Sequence, residues 1–138
     1  FERKTHRIPT DILNTIRNKS NMSELKEETI KDKWFKIRQL FESRFGKTPD
    51  LSAILYVVGM RELGMHQDKF KKEEKVQLMH IATCRILSTS GHYRLVGKDE
   101  NEWPVWELVE KLPNQDMMEQ EMYMRHHIIN YFEEEELI

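Results

Sequence analysis

Cysteine, glycine and long apolar runs are scarce in this chain, and each scarcity excludes a class of protein. The single cysteine, Cys84, cannot form an internal disulfide, which predicts a protein of the reducing cytoplasm. With only five glycines, the chain has no glycine-rich loop of the kind that cradles nucleotide phosphates. No apolar run approaches the roughly 18 residues of a membrane-spanning helix, and no secretory signal is visible at the start. We therefore expect a cytoplasmic protein with no cofactor and no membrane partner.

The chain mixes apolar and charged residues in proportions typical of a folded soluble domain. Apolar residues make up 38% and charged residues 33% of its 138 positions, a length that suits one domain. The charge is uneven, because residues 1–48 carry 12 basic and 7 acidic side chains whereas residues 49–138 carry 10 and 17. This polarity either attracts an anionic partner to the first part of the chain or leaves two solvated faces. We favour the second interpretation.

Four stretches carry apolar residues at helical spacing, and they predict helices at 23–45, 48–64, 70–88 and 116–133. Thr48 is predicted as the N-cap of the second helix, Pro49 suits its first helical position, and Gly64 suits its end. Asp116 and Glu119 have the spacing of a capping box, which predicts the start of the last helix. These capping residues support the helical interpretation independently of the apolar spacing.

The third predicted helix is the most informative segment. Its apolar side chains cover nearly the whole circumference and comprise Val76, Leu78, Met79, Ile81, Ala82, Ile86 and Leu87. The narrow polar sector that remains holds Glu73, Gln77, His80 and Cys84. Because a helix that is apolar on nearly every side belongs in a core, we predict that this segment is an interior scaffold.

Residues 93–109 predict a β-hairpin with a polar turn, in which Pro104 restricts the second strand to an edge or a bulge. Trp103 or Trp106 is expected to turn inward. The predicted fold is therefore α+β and mainly α, a compact helical domain over residues 23–138 with one β-hairpin between the third and last main helices. Residues 1–22 are expected to form a basic, loosely ordered arm.

His80 and Cys84 stand four positions apart, a separation at which two helical side chains can share a metal ion, and Glu73 extends the same line. A zinc site needs a further ligand, and the distant candidates are His66, His92, His126 and His127. The alternative is that Cys84 packs as a small apolar group while His80 forms a hydrogen bond in a crowded interior. We favour that alternative, and we predict neither a metal site nor a catalytic residue. Cys84 also lies late in its helix, where the dipole disfavours a thiolate.

Methionines cluster in the last predicted helix, at Met117, Met118, Met122 and Met124. Such side chains either fill an irregular core or form an adaptable binding face, and we favour the core. The adjacent His126 and His127 diverge by 100° around the helix, so they do not chelate one ion together. Both histidines are expected on the exposed surface.

Three helices followed by a hairpin is also the order of a winged-helix domain, whose third helix enters the DNA major groove. Phosphate contacts would come from the N-terminal arm and from Lys69, Lys71, Lys72 and Lys75. Two features oppose this reading, because the third helix is too apolar to lie in a groove and the hairpin tip at 99–102 is acidic. Nucleic-acid binding is therefore the second functional interpretation.

The preferred interpretation is a non-enzymatic protein–protein interaction or adaptor domain. No catalytic motif is present, and apolar and aromatic side chains are in surplus, with Trp103 and Trp106 as candidate binding residues. The expected partner is another protein or a second copy of this chain in a homodimer. A metal- or thiol-dependent enzyme centred on His80, Cys84 and Glu73 is the third interpretation.

Five segments of the chain carry a resemblance to a known family. The similarity is carried by DLSAIL at 50–55, GMRELG at 59–64, EKVQLMHIA at 74–82, GHY at 91–93 and WPVW at 103–106. Together these segments resemble a family of small uncharacterised bacterial proteins, over roughly residues 50–132. The resemblance implies a bacterial cytoplasmic origin and supplies no activity, cofactor or site residue.

Overall fold

Four helices and one β-hairpin make up residues 29–64 and 69–138, the part of the chain that the computed structural model describes. In chain order they are α1 (Ile30–Phe45), α2 (Leu51–Leu63), α3 (Lys72–Ser88), β1 (Tyr93–Lys98), β2 (Pro104–Leu108) and α4 (Met117–Glu134). This confirms the predicted fold class, with the hairpin between the third and fourth helices. The arm predicted at 1–22 and the predicted helical residues 23–28 lie outside the described residues. No described helix is both long enough and apolar enough to cross a membrane.

The first two helices begin and end at residues that satisfy their terminal backbone groups. Thr29 caps α1 by accepting from the Asp32 amide at 3.1 Å, and the Asp32 carboxylate accepts from the Thr29 amide in return. The prediction of Thr48 as the cap of α2 is wrong, because Asp50 accepts from the Ala53 amide at 2.8 Å instead. Thr48 lies two positions before this cap, and its hydroxyl donates to the Glu42 carboxylate.

The core lies where all four helices meet. Its buried side chains are Ile37 and Phe41 from α1, Ile54 and Val58 from α2, Ala82 and Ile86 from α3, and Ile128, Ile129, Tyr131 and Phe132 from α4. The closest helix pair is α2 with α3, and Gly59 of α2 makes this approach possible because it has no side chain opposite the Leu78 backbone. Each helix therefore contributes one apolar face to a single core.

The prediction that α3 is interior along its whole length is wrong for its first half. The side chains of Lys72, Glu73, Lys75, Val76, Gln77 and His80 are all exposed. Val76 lies on the side of the helix opposite Leu78, the residue that packs on α2, and it is 60% exposed. From Cys84 onward the helix is buried on several sides, as Cys84, Ile86 and Leu87 show. The last turns of α3 are therefore interior, as predicted, whereas its first turns expose one side of the helix to solvent.

The hairpin pairs β1 with β2 in the antiparallel sense, with Tyr93 opposite Leu108 and Leu95 opposite Trp106. A β-bulge interrupts the register between Leu95 and Gly97. The predicted hairpin is thus present, and its tip begins with Asp99, whose carboxylate accepts from two backbone amides of the turn.

The last helix begins at the predicted capping box, in which the Asp116 carboxylate accepts from the Glu119 amide at 2.8 Å. Its second half belongs to the core, but the prediction that its methionines fill the core is wrong for three of them. Met117 and Met118 are 86% and 78% exposed, and Met122 is 42% exposed. The first two turns of α4 therefore extend beyond the part of the helix that the core covers.

Candidate functional site

The structure places the side chains of His80 and Cys84 in contact, but Cys84 is buried whereas His80 is exposed. Cys84 Sγ lies 3.5 Å from His80 Nε2. Cys84 is fully buried, and desolvation raises the pKa of its thiol to about 11, which disfavours a thiolate. His80 is exposed and contacts the edge of the Tyr93 ring, so the prediction of a crowded interior around this imidazole is wrong.

Metal ligation at His80 and Cys84 would require a third ligand. Within residues 29–64 and 69–138, no group of three or more histidine, cysteine, aspartate or glutamate side chains is arranged to hold an ion. Glu73 is exposed about two helical turns before His80. His66, one of the candidate third ligands, lies outside the described residues.

The four lysines at the start of α3, Lys69, Lys71, Lys72 and Lys75, are all exposed. Acidic side chains lie among them, since the Glu74 carboxylate accepts from the Lys71 amide at 2.8 Å and Glu73 is adjacent. The Lys75 ammonium lies 5.9 Å from the centre of the Tyr56 ring, close enough for a cation–π contact. The lysines form a basic surface at the helix start, but Glu73 and Glu74 lower its net charge.

The two candidate binding tryptophans are both half-buried and attach the hairpin to the helices. The Trp103 ring meets the edge of the Phe70 ring at a centroid distance of 6.5 Å, and Phe70 meets Tyr56 in the same way. Trp106 Nε1 is buried and has no hydrogen-bond partner among the described residues. Both indoles therefore pack within the protein and leave only part of their surface free to contact a partner.

A chain of four polar side chains joins the end of α3, the hairpin and α4. Ser90 Oγ lies 2.6 Å from His127 Nε2, and His127 Nδ1 lies 2.7 Å from the main-chain oxygen of Tyr123. The Tyr123 hydroxyl lies 2.7 Å from His92 Nε2, and His92 Nδ1 lies 2.9 Å from the main-chain oxygen of Glu110. His92 and His127 are 3% and 7% exposed, so the prediction that His127 lies on the exposed surface is wrong, while His126 is exposed as predicted.

Backbone carbonyls fix the tautomer of both buried imidazoles. A carbonyl oxygen only accepts hydrogen bonds, so Nδ1 of each ring must carry the proton that it donates. In the neutral rings Nε2 is then bare and accepts, from the Ser90 hydroxyl at His127 and from the Tyr123 hydroxyl at His92. The Ser90 hydroxyl is thus aligned with a base whose proton position is set by the fold.

A surface cavity of about 610 Å³, wide open to solvent, adjoins this chain. Its lining is part apolar and part polar and comprises Ser90, Gln115, Met118, Glu119, Met122, Tyr123, His126, His127 and Asn130. All of these side chains except Ser90 come from α4 and from Gln115, two positions before it, and Ser90 follows the end of α3. No sequence pattern predicts this site, because Ser90 lies in a turn 37 positions before His127. The available signal was the position of His127 at the margin of the apolar face of α4.

A second candidate surface consists of exposed apolar side chains on the hairpin and the segment after it. We define the hairpin surface as Leu95, Val96, Val105, Leu108, Val109 and Leu112. Each of these side chains is at least 39% exposed. Successive strand side chains alternate between faces, so Leu95 and Leu108 share one face of the hairpin while Val105 lies on the other. Six exposed apolar side chains within 18 positions are nonetheless more than scattered single residues, which makes the hairpin a candidate binding element.

A cluster of charged side chains surrounds Tyr131 at the ends of α2 and α4. The Arg61 guanidinium donates to the Tyr131 hydroxyl at 2.8 Å and to the Glu135 carboxylate at 2.7 Å, and the Tyr131 hydroxyl donates to Glu62. Burial and the Glu62 carboxylate raise the pKa of the Tyr131 hydroxyl, so it stays protonated. Two arginines, Arg61 and Arg85, balance two glutamates here, which is typical of a structural network and not of a ligand site.

No protein-family model, curated protein or solved structure matches this chain. Its function is therefore inferred from its own residues.

Proposed function

We propose that this protein is a protein–protein interaction domain that binds its partner through the hairpin surface. The observation that carries the proposal is the exposure of apolar side chains along both strands and beyond, from Leu95 at 53% to Val109 at 59% and Leu112 at 44%. Burying such side chains contributes about 25 cal/mol for each Å² removed from water, so a partner that covers them gains affinity. Met117 and Met118, at the exposed start of α4, supply adaptable apolar side chains close in sequence to this surface.

The exposed apolar side chains of the hairpin are available to a partner because they do not contribute to the core. The core is built from the four helices, and no hairpin residue belongs to its buried cluster. The strands attach to the helices mainly through Tyr93 and the half-buried tryptophans. A two-stranded hairpin is only marginally stable by itself, and a partner would stabilise it further.

Self-association is the first test, by size-exclusion chromatography with light scattering. If the partner is a second copy, the measured mass rises with concentration and falls to that of the monomer in Val109→Glu. Val76→Glu is the matched control, because Val76 is 60% exposed on α3 and is not one of the residues of the hairpin surface. A monomer at all concentrations rules out the homodimer and leaves a different protein as partner.

A different protein is tested by selecting peptides from a random display library on the wild-type protein. Selected peptides should bind the Val76→Glu variant as tightly as wild type and bind the Val109→Glu variant at least tenfold more weakly. A constantly monomeric protein together with peptides that do not distinguish the two variants would contradict the proposal.

The second candidate function is nucleic-acid binding by the start of α3. The observation that favours it is the exposure of the first half of α3, which removes one of the two objections to the winged-helix interpretation. The other objection remains, since Asp99, Glu100 and Glu102 at the hairpin tip are acidic and exposed. For this reason we place nucleic-acid binding second.

Fluorescence anisotropy with duplex DNA and RNA at low and moderate salt tests this candidate. Neutralising Lys71, Lys72 and Lys75 to Gln should weaken binding, and the loss should be smaller at higher salt. Neutralising the exposed Lys31 and Lys47 of the α1 region provides the control. Absence of binding at low salt excludes the candidate, because phosphate contacts are strongest there.

A further inference from the structure

We propose that Ser90 is a nucleophile activated by His127, and that the adjoining cavity takes an ester with an apolar acyl chain. This activity is separate from the proposed interaction function, and its reacting residues, Ser90 and His127, are not part of the hairpin surface. It rests on the hydrogen-bond geometry at Ser90, on the difference in burial between the two side chains, and on the composition of the cavity wall.

The geometry has the order of nucleophile, base and orienting group that serine hydrolases use. The Ser90 hydroxyl donates to His127 Nε2 at 2.6 Å, within the range expected for a nucleophile and its base. His127 Nδ1 donates to the Tyr123 carbonyl at 2.7 Å, so a main-chain oxygen occupies the place of the usual carboxylate. The carbonyl holds the imidazole in the tautomer that can remove the serine proton.

The two side chains differ in burial in the way that catalysis requires. Ser90 is exposed and open to a substrate, whereas His127 is 7% exposed and packed against the Tyr123 ring at a centroid distance of 4.4 Å. Tyr123 is itself held at its far end by the bond from its hydroxyl to His92. The base is therefore rigidly placed, and its supporting residue has a fixed position.

The cavity wall fits an acyl group and offers a donor for the developing oxyanion. Met118 and Met122 supply apolar surface. The main-chain amides of residues 90–92 already donate to the carbonyls of Leu87 and Ser88, so they are not free to stabilise an oxyanion. Asn130, about one helical turn after His127, carries a side-chain amide on this wall, and that amide forms no hydrogen bond within the described part of the chain. It is the donor that the cavity wall offers near Ser90.

The reaction needs only the ester and water. Ser90 Oγ attacks the acyl carbon while His127 takes the serine proton, and the bond to the alcohol breaks as His127 returns that proton to the departing oxygen. Water then attacks the acyl-serine, His127 takes a proton from the water and delivers it to Ser90 Oγ, and the free acid leaves. No oxidant, reductant or metal takes part in either half.

Labelling with an alkyl fluorophosphonate tests the nucleophile directly. In this reaction the bond from Ser90 Oγ to phosphorus forms, fluoride leaves, and the serine proton passes through His127 to solvent. Peptide mass spectrometry gives the labelling rate at each serine of the native protein. Ser43 and Ser52 are internal controls, because both are exposed helical serines and neither forms a hydrogen bond to a histidine.

General-base assistance predicts that Ser90 is labelled about 100-fold faster than either control serine. His127→Gln should reduce the Ser90 rate to that of Ser43, while His80→Gln, which changes an exposed histidine of α3, should leave it unchanged. Ser90→Ala should abolish hydrolysis of p-nitrophenyl butyrate by the native protein. The comparison of serines within the wild-type protein decides the question even if His127→Gln does not fold.

Equal labelling of Ser90, Ser43 and Ser52 in the wild-type protein would overturn the proposal and identify the contact between Ser90 and His127 as a structural hydrogen bond. The Val109→Glu variant of the hairpin surface should label at Ser90 as the wild type does. Failure of one proposal is therefore distinguishable from failure of the other.

Discussion

Gly59 packs directly on the backbone of Leu78, so closely that a Cβ atom at position 59 would lie 2.1 Å from the Leu78 carbonyl oxygen. Both residues are in the middle of helices, and the backbone of Gly59 needs no left-handed conformation. The glycine is required by the space between α2 and α3. The distance between these two helices is therefore set by one missing side chain.

Gly59→Ala should consequently destabilise the protein, although alanine is the better helix former. A methyl group in this space forces the helices apart, and overpacking of this kind costs about 1–3 kcal/mol or more of unfolding free energy. Urea denaturation measures the change. Ser52→Ala, at an exposed position of the same helix, should change the unfolding free energy by less than about 0.5 kcal/mol. Equal effects of the two substitutions would show that α2 and α3 do not pack at this distance.

Removing the Tyr131 hydroxyl should also destabilise the protein. Tyr131→Phe leaves Glu62 without the hydroxyl that donates to it and Arg61 without one of its acceptors, in a partly buried cluster. The expected loss is about 1–3 kcal/mol of unfolding free energy. Tyr56→Phe is the matched control, because the Tyr56 hydroxyl forms no hydrogen bond within the described residues and its ring contact with Phe70 remains. Thermal and urea unfolding measure these changes, and equal losses of unfolding free energy in the two variants would contradict a stabilising role for the cluster.

The buried thiol of Cys84 should make stability depend on pH in the alkaline range. Desolvation raises its pKa from 9.0 to about 11, so the unfolded chain releases this proton at lower pH than the folded protein does. The contribution of the thiol to stability is complete below pH 9 and is lost as the pH rises through about 11. Unfolding free energies of the wild type and of Cys84→Ala, measured between these limits, should diverge, with the wild type losing more. Parallel curves would mean that the thiol is not buried.

Loss of the cap at the start of α4 should loosen that end of the helix more than the rest of the protein. Asp116→Ala removes the carboxylate that accepts from the Glu119 amide, and a cap of this kind is worth about 1 kcal/mol. Because Met117 and Met118 are exposed, little packing compensates for the loss. Hydrogen exchange at residues 118–122 should accelerate, while exchange in the core turns of α4 stays slow. Asn114→Ala, just before the helix, serves as the control, and it should leave all of these rates unchanged.

The order of elements followed from local signals that each segment carries within itself. Apolar spacing identified four helices, Asp116 and Glu119 identified the start of the last one, and alternation with a polar turn identified the hairpin. These features depend on neighbours within a few positions, so the sequence alone contains them.

What the sequence did not reveal is which faces other elements cover. Val76 and Met118 are exposed because no neighbouring element within the described residues covers their part of the helix. The spacing of apolar residues predicts an apolar face, but it does not predict whether another element packs on that face. The contact between Ser90 and His127 joins two segments 37 positions apart, and a serine in a turn has no pattern that points to a distant imidazole. The one sequence signal for the burial of His127 is its position at the edge of the apolar face of α4.

The β-bulge at Val96 interrupts the edge of β1. A regular edge strand offers a continuous row of amides and carbonyls, which invites further strands to add and can lead to uncontrolled aggregation. The bulge breaks that row in the middle of β1 and increases the local twist, with Gly97 extended on its far side. Under the proposed interaction function, this irregular edge disfavours addition of a strand to β1, and recognition on that side of the hairpin would rest on the shape of its apolar side chains.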